Sequence, residues 1–166
     1  MPSGSALRPA APSDADRLWR IAQAAYSPYV SRMDRRPAPM SADYGEAIRR
    51  GRALVLVDEA ERVLGFVIHF AHRNSWFVEN LAVDPNAQGG GVGSRLLRAA
   101  EDAARAAGAQ RVLLYTNVVM AENVAFYEGR GYRQTMRMQD GGYDRLYFEK
   151  PFRTGARVDS DATSQP

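Results

Sequence analysis

The chain has 166 residues, 45% of them hydrophobic, 25% charged and 10% aromatic, with a formal net charge of +3. That length suits one domain with a core of its own, and the absence of cysteine excludes disulfides, thiolate metal sites and cysteine nucleophiles. No apolar run nears the ~18 residues of a membrane span and the first residues lack a signal-peptide profile, so a cytoplasmic protein with no membrane partner is expected.

Taken in order, residues 6–11 read as a short strand. Ser13 followed by Asp16 has the spacing of a capping box, and the helix it opens carries Leu18, Ile21, Ala22 and Ala25 on one face and stops before Pro28. Residues 26–40 hold Pro28, Pro37 and Pro39 and are expected to form an irregular loop; Ser41 would cap a second short helix reaching Arg50. Arg49, Arg50 and Arg52 are the densest basic cluster of a chain with 21 arginines and one lysine, Lys150. No stacking aromatics are interleaved with them, so no nucleic-acid partner is expected.

Residues 53–57 (ALVLV), 63–71 (VLGFVIHFA) and 76–83 are β-branched or apolar runs joined by turns, an antiparallel meander. His69 and His72 would point to opposite faces of the second strand, with no cysteine or paired acid beside them, so no metal site is expected. A helix over 92–107 follows, with Val92, Leu96, Leu97, Ala100, Ala104 and Ala107 at helical spacing. Its outer face would carry Arg98, Glu101, Asp102 and Arg105, and Gly108 would stop it. Residues 111–116 (RVLLYT) form a buried strand that a right-handed crossover makes parallel to the strand before the helix. A short helix over 123–129 and a hairpin of 132–139 with 143–150 complete one mixed α/β domain, 6–151, with helices on both sheet faces. Residues 1–5 and 152–166 read as disordered tails.

The chemistry concentrates in ENLAVDPNAQGGGVGSRLL, where a strand ends at Asp84-Pro85 and a helix starts after Gly89, Gly90, Gly91 and Gly93. Glycines let backbone N–H groups turn toward one point, and the helix start adds unpaired donors and a positive dipole end. A phosphate or pyrophosphate suits that arrangement; a plain flexible turn is the alternative. The loop lacks the lysine of GxxxxGK[ST], and GxGxxG fails because Leu96 stands at the third glycine position. Gln88-x-x-Gly91-x-Gly93 remains.

That loop resembles the acyl-CoA pyrophosphate loop, Q/R-x-x-G-x-G/A, of the GNAT superfamily of N-acetyltransferases. LYTN at 114–117 and AENVAFYEGRGY at 121–132 resemble the family's next strand and the short helix carrying an Asn and a Tyr. The resemblance implies a mixed, mostly antiparallel sheet of about seven strands, splayed where the pantetheine lies, with about four helices. It implies acetyl-CoA as cosubstrate, without a metal, held by Gln88, Gly89, Gly90, Gly91, Val92, Gly93 and Ser94. Backbone around Leu81, Ala82 and Val83 would hold the thioester carbonyl, and Asn117 and Asn123 would contact the cofactor. Tyr127 would protonate the leaving thiolate, with a packed aromatic as the alternative; for Asn123 the alternative is a helix cap.

Glu79 interrupts an apolar strand, where a carboxylate is costly unless solvated or used. It is the candidate base, with a structural hydrogen-bonding role as the alternative. Strict alternation puts it on the face of Leu81 and Val83, and a bulge would shift that parity. The acceptor site would draw on the loop after the first helix and on the closing hairpin: Tyr26, Tyr29, Arg32, Arg35, Arg36, Arg137 and Tyr143. Those arginines would favour an amine acceptor bearing an anionic group, small molecule or peptide. A homodimer is compatible with the resemblance. A catalytically inactive CoA-binding module of the same fold is the rival reading.

Overall fold

Seven strands form one open sheet in the computed structural model, which describes residues 4–153. They are β1 (Ala6–Pro9), β2 (Ala53–Val57), β3 (Val63–His72), β4 (Ser75–Val83), β5 (Arg111–Asn117), β6 (Arg133–Asp140) and β7 (Tyr143–Pro151), in the order β1-β2-β3-β4-β5-β7-β6. Neighbours are antiparallel except β4 and β5, which run parallel because a whole helix separates them in sequence. The helices are α1 (Ala15–Tyr26), α2 (Tyr44–Arg49), α3 (Val92–Ala106) and α4 (Ala121–Glu128). The loop expected over 26–40 contains two turns of 3₁₀ helix, Ser27–Arg32 and Ala38–Ser41.

The middle of the sheet is covered on both faces, whereas the edge strand β6 is exposed along its length. Leu18, Ile21 and Ala22 of α1 and Tyr44 and Ile48 of α2 pack on Val55, Val57, Phe66 and Ile68. On the other face Val92, Leu96, Leu97, Ala100 and Ala104 of α3 pack on Leu56, Val67, Val112, Leu114 and Phe148. Each of those α3 residues is at most 2% exposed, and full burial of a leucine is worth about 1.5–3 kcal/mol. Gly65 lets α3 come close: a Cβ there would lie 2.8 Å from the Ala82 carbonyl oxygen and about 3.0 Å from Val92.

Several local expectations change. The capping box is not Ser13 with Asp16; Asp14 takes the Ala11 N–H at 2.7 Å and the Arg8 guanidinium at 2.7 Å. Asp43, not Ser41, caps α2, accepting from the Glu46 N–H. Ala107 is exposed beyond the end of α3. Glu101, expected on the outer face of α3, is buried at 5% exposure. Its Oε2 accepts from Lys150 Nζ at 3.0 Å and from the Tyr132 hydroxyl at 2.8 Å, so a group that would be costly alone is paired and hydrogen-bonded. The hairpin is entered so that its second strand, β7, takes the inner place against β5.

Of the expected tails, 1–3 and 154–166 lie outside the described residues. Ser5 accepts from Arg95, and the Phe152 N–H bonds the Gln110 carbonyl at 2.9 Å. His69 Nδ1 accepts from the Trp76 indole at 2.9 Å and burial lowers its pKa, while His72 is exposed. Among the described residues, no three His, Cys, Asp or Glu side chains converge to hold a metal ion, and no helix is long and apolar enough to cross a membrane.

Candidate functional site

The parallel pairing of β4 with β5 lasts only three residues, Trp76–Val78 against Val112–Leu114. Beyond Val78 the strands part, because β4 bulges there. Val78 pairs with His69 and Asn80 with Ile68, leaving Glu79 as the extra residue. The bulge shifts the parity: Val78 packs toward α3, whereas Asn80 and Ala82 face α1 and Leu81 and Val83 face α3. Glu79 falls at the changeover and is exposed, so its carboxylate incurs no burial cost.

Asn80 is buried and fixes this corner. It accepts from the Tyr26 hydroxyl at 2.9 Å and donates to the Tyr44 oxygen at 2.8 Å, and Tyr44 donates to the Pro39 carbonyl at 2.6 Å. Burial raises the pKa of both phenols.

A cleft of about 660 Å³ opens from the gap toward the start of α3. Gly91 caps the helix in the left-handed conformation, φ 79°, and Gly89 has φ 84°. Backbone N–H groups from Gln88 to Ser94 have no acceptor among the described residues. Gln88, Gly89, Gly91, Val92, Gly93 and Ser94 line the cleft; Gly90 does not. A Cβ on Gly93 would touch Phe126 and Val83 at 3.5 Å. Arg130, which sequence reading passed over, also lines the cleft; it donates to Ser94 Oγ and to the Phe126 carbonyl and stacks 3.7 Å from the Phe126 ring centroid.

On the far side of the gap lies a cavity of about 110 Å³, walled by Met33, Pro37, Pro39, Val78, Leu81, Tyr115, Met120 and Tyr143, with Glu79 and Arg145 as its charged members. Tyr26, Leu81, Asn123 and Tyr127 line both spaces. Tyr127 is 7% exposed, its pKa is raised by burial, and its hydroxyl bonds no group among the described residues. Asn123 sits inside α4 and does not cap it; its Nδ2 reaches Thr116 Oγ1 at 3.3 Å. Asn117 lines the cavity but closes its own turn, accepting from the Val119 N–H.

The expected acceptor residues scatter. Tyr143 lines the cavity, and Tyr26 lines it with its hydroxyl already bonded to Asn80. Tyr29 and Arg32 stand instead at the cleft, both reaching Glu122. Arg35 binds the Gly141 carbonyl, Arg36 binds Gln23, and Arg137 forks onto Asp144 at 2.6 and 2.9 Å outside either space. Ala82, named for its backbone, has its side chain in the core. Arg145, which the sequence did not single out, is the guanidinium that does line the cavity; it lies 4.1 Å over the Tyr115 ring and binds Asp140 at 2.8 Å.

The sequence profile of the acetyltransferase (GNAT) family matches residues 15–132, which takes in the bulge, the glycine loop and Tyr127. The chain belongs to the GNAT acetyltransferase family. Over 76 residues it is 41% identical to an IAA acetyltransferase of Azospirillum brasilense, covering 45% of this chain and 50% of that protein. Over 94 residues it is 34% identical to the aminoalkylphosphonate N-acetyltransferase of Salmonella typhimurium, covering 55% of this chain and 57% of that one. The matches thus span about half the length of each curated relative.

The GNAT fold is seen again in the PaiA N-acetyltransferase of Thermoplasma acidophilum in complex with coenzyme A. It superposes with a TM-score of 0.75 over 90% of this chain and 99% of that one, at 18% identity. The ribosomal-protein-S18-alanine N-acetyltransferase of Escherichia coli gives 0.72 over 93% and 97%, also at 18% identity. At such identities the likeness is one of fold.

Proposed function

We propose that this GNAT protein transfers an acetyl group from acetyl-CoA to a primary amine of a small molecule or peptide, with both substrates bound at once. The observation that carries the reading is the shared wall of Tyr26, Leu81, Asn123 and Tyr127 between the glycine-loop cleft and the Glu79 cavity. A donor held in one space and an acceptor in the other meet beside an unbonded phenol.

The residues present fit CoA. Unpaired N–H groups from Gln88 to Ser94 at a helix start suit a pyrophosphate, and the cleft continues into the β4–β5 gap, where a pantetheine arm would lie. Bound acetyl-CoA supplies an acyl group on a thiol leaving group. The backbone N–H groups of Leu81 and Val83, on the edge that β5 vacates, are offered to the carbonyl oxygen, while that of Ala82 turns toward β3. Glu79 takes a proton from the incoming ammonium, directly or through water. As the C–N bond forms and the C–S bond breaks, Tyr127 gives its phenolic proton to the departing sulfur; the second proton leaving the amine nitrogen passes through water to the phenolate, and Glu79 releases its own to solvent. Burial keeps that phenol protonated at neutral pH. A cytoplasmic location goes with this reading, since acetyl-CoA is an intracellular metabolite.

The test is thiol release from acetyl-CoA over a panel of amino acids, aminoalkylphosphonates, polyamines and peptides, in a chain whose lack of cysteine removes any protein background. Amine-dependent release is expected. Thermal stabilisation by CoA with no release for any amine would make the chain a non-catalytic CoA-binding module instead.

A further inference from the structure

The cavity beside Glu79 has a roof, the segment 33–42, and the roof is fastened at both ends. Toward the helices, Gln23 of α1 donates to the Met40 carbonyl at 2.8 Å and accepts from Arg36, while Tyr44 of α2 donates to the Pro39 carbonyl. Toward the β6–β7 turn, Arg35 donates to the Gly141 carbonyl at 2.7 Å and the Tyr143 hydroxyl donates to the Arg36 carbonyl at 2.7 Å.

Gly142 makes the second fastening. Its φ is 86°, a conformation that favours glycine, and a Cβ built there would lie 2.5 Å from Arg35 Cζ, so any side chain at this position would displace the guanidinium from its present place. The same guanidinium reaches over the Tyr143 ring, 5.8 Å from its centroid. The segment after α1 and the hairpin turn, far apart in sequence, are therefore joined across the acceptor side of the β4–β5 gap.

We infer that this clasp confines the acceptor to small free amines and excludes an amine carried within a polypeptide; the inference rests on the transferase reading above. A peptide acceptor needs a groove in which the residues flanking its amine can lie. Here that groove is crossed by two hydrogen bonds and a guanidinium seated on a glycine, and what remains is a cavity of about 110 Å³. Its wall is apolar apart from the amides and hydroxyls at the gap and two charged groups, Glu79 and Arg145. A compact amine fits such a space.

The experiment compares matched acceptors with acetyl-CoA: alaninamide against a short peptide beginning with alanine, and Nα-acetyl-lysine methylamide against a short peptide with a central lysine. Each is run beside the amino acids and aminoalkylphosphonates of the wider panel. Whatever amine is accepted, the small form is expected to exceed its peptide form in kcat/KM by about a hundredfold or more. Arg35→Ala combined with Tyr143→Phe should shrink that ratio by about tenfold, chiefly by raising the peptide's kcat/KM. A parent protein that treats both forms alike, or a ratio unmoved in the double variant, overturns the inference.

Failure of the transferase reading itself looks different: no amine of either size releases thiol. The clasp is then read directly in the single-cysteine variant Thr116→Cys, at a buried position that lines the cavity. A small methanethiosulfonate should label it rapidly and a peptide-borne maleimide slowly, and opening the clasp should speed only the second. Equal labelling by the peptide reagent with the clasp intact refutes the clasp whatever the protein catalyses.

Discussion

A buried phenol usually finds a hydrogen-bond partner, and Tyr26, Tyr44 and Tyr132 all do. Among the described residues Tyr127 does not, although three aromatic rings, Phe126, Tyr132 and Phe148, surround it. Removing its oxygen therefore leaves no orphaned neighbour. Tyr127→Phe is expected to keep the parent melting temperature and CoA affinity while turnover falls by about 10²-fold, the usual scale for a general acid. Turnover within about twofold of the parent would make Tyr127 a packing residue. That Glu79 and Tyr127 stand out at the gap was legible because each has a recognisable local setting, a carboxylate within an apolar strand and a tyrosine within a motif; their roles rest on the proposal. The arginines were not. What a guanidinium does is decided by its partner, and Arg32 meets Glu122 while Arg35 meets Gly141, both about a hundred residues on. Asn80 was missed because its role depends on a bulge that no spacing along the strand announces.

Strands and helices were easier to read than their neighbours in space. The apolar stripe of α3 and the parallel run of β5 follow from local periodicity and from the length of the crossover, and both are found. Glu101 was misplaced because its partners, Tyr132 and Lys150, arrive only with the hairpin. The hairpin itself is held by Glu149 of β7, which is nearly buried and bonded to Arg133 on β6 and to Arg111 on β5. Arg133 first and Arg111 second hold its carboxyl below the usual range, against the opposing effect of burial. A carboxyl whose pKa is lower when folded adds stability above its unfolded value of ~4.3, and that stability disappears as the pH drops through the folded value. Glu149→Gln is accordingly expected to melt lower than the parent at pH 7. The gap between the two should close as acid is added and Glu149 of the parent is protonated, while Asp14, Asp58 and Asp84 titrate in both and cancel in the difference. A gap of constant size from neutral pH down to about 3 would mean that Glu149 contributes through packing alone.

For the molecule entire, the sheet matters most where it comes apart, since the divergence of β4 from β5 creates both the cleft and the cavity. If acetyl-CoA occupies the cleft, it stabilises the whole fold by mass action, by about 2.7 kcal/mol at a hundred times its dissociation constant. The melting temperature should rise accordingly. Gly91→Val should abolish that rise, because the αL conformation is strained for a branched residue and the side chain would intrude on the N–H groups. A rise of equal size in the variant would remove the glycine loop from the site. The bond from Lys150 to Glu101 has a different kind of consequence. A protein bathed in acetyl thioester is exposed to spontaneous acylation of its own amines. Guanidinium groups are poor nucleophiles because they stay protonated, and this chain carries 21 of them against a single side-chain amine. That amine is three-quarters covered and hydrogen-bonded to a buried carboxylate. Mass spectrometry after long incubation with acetyl-CoA or an N-hydroxysuccinimide ester should find Lys150 nearly unmodified in the native protein and readily acylated in urea. That outcome would show the fold shielding its one lysine from adventitious acylation, and equal labelling in the native and urea-treated protein would show that it does not.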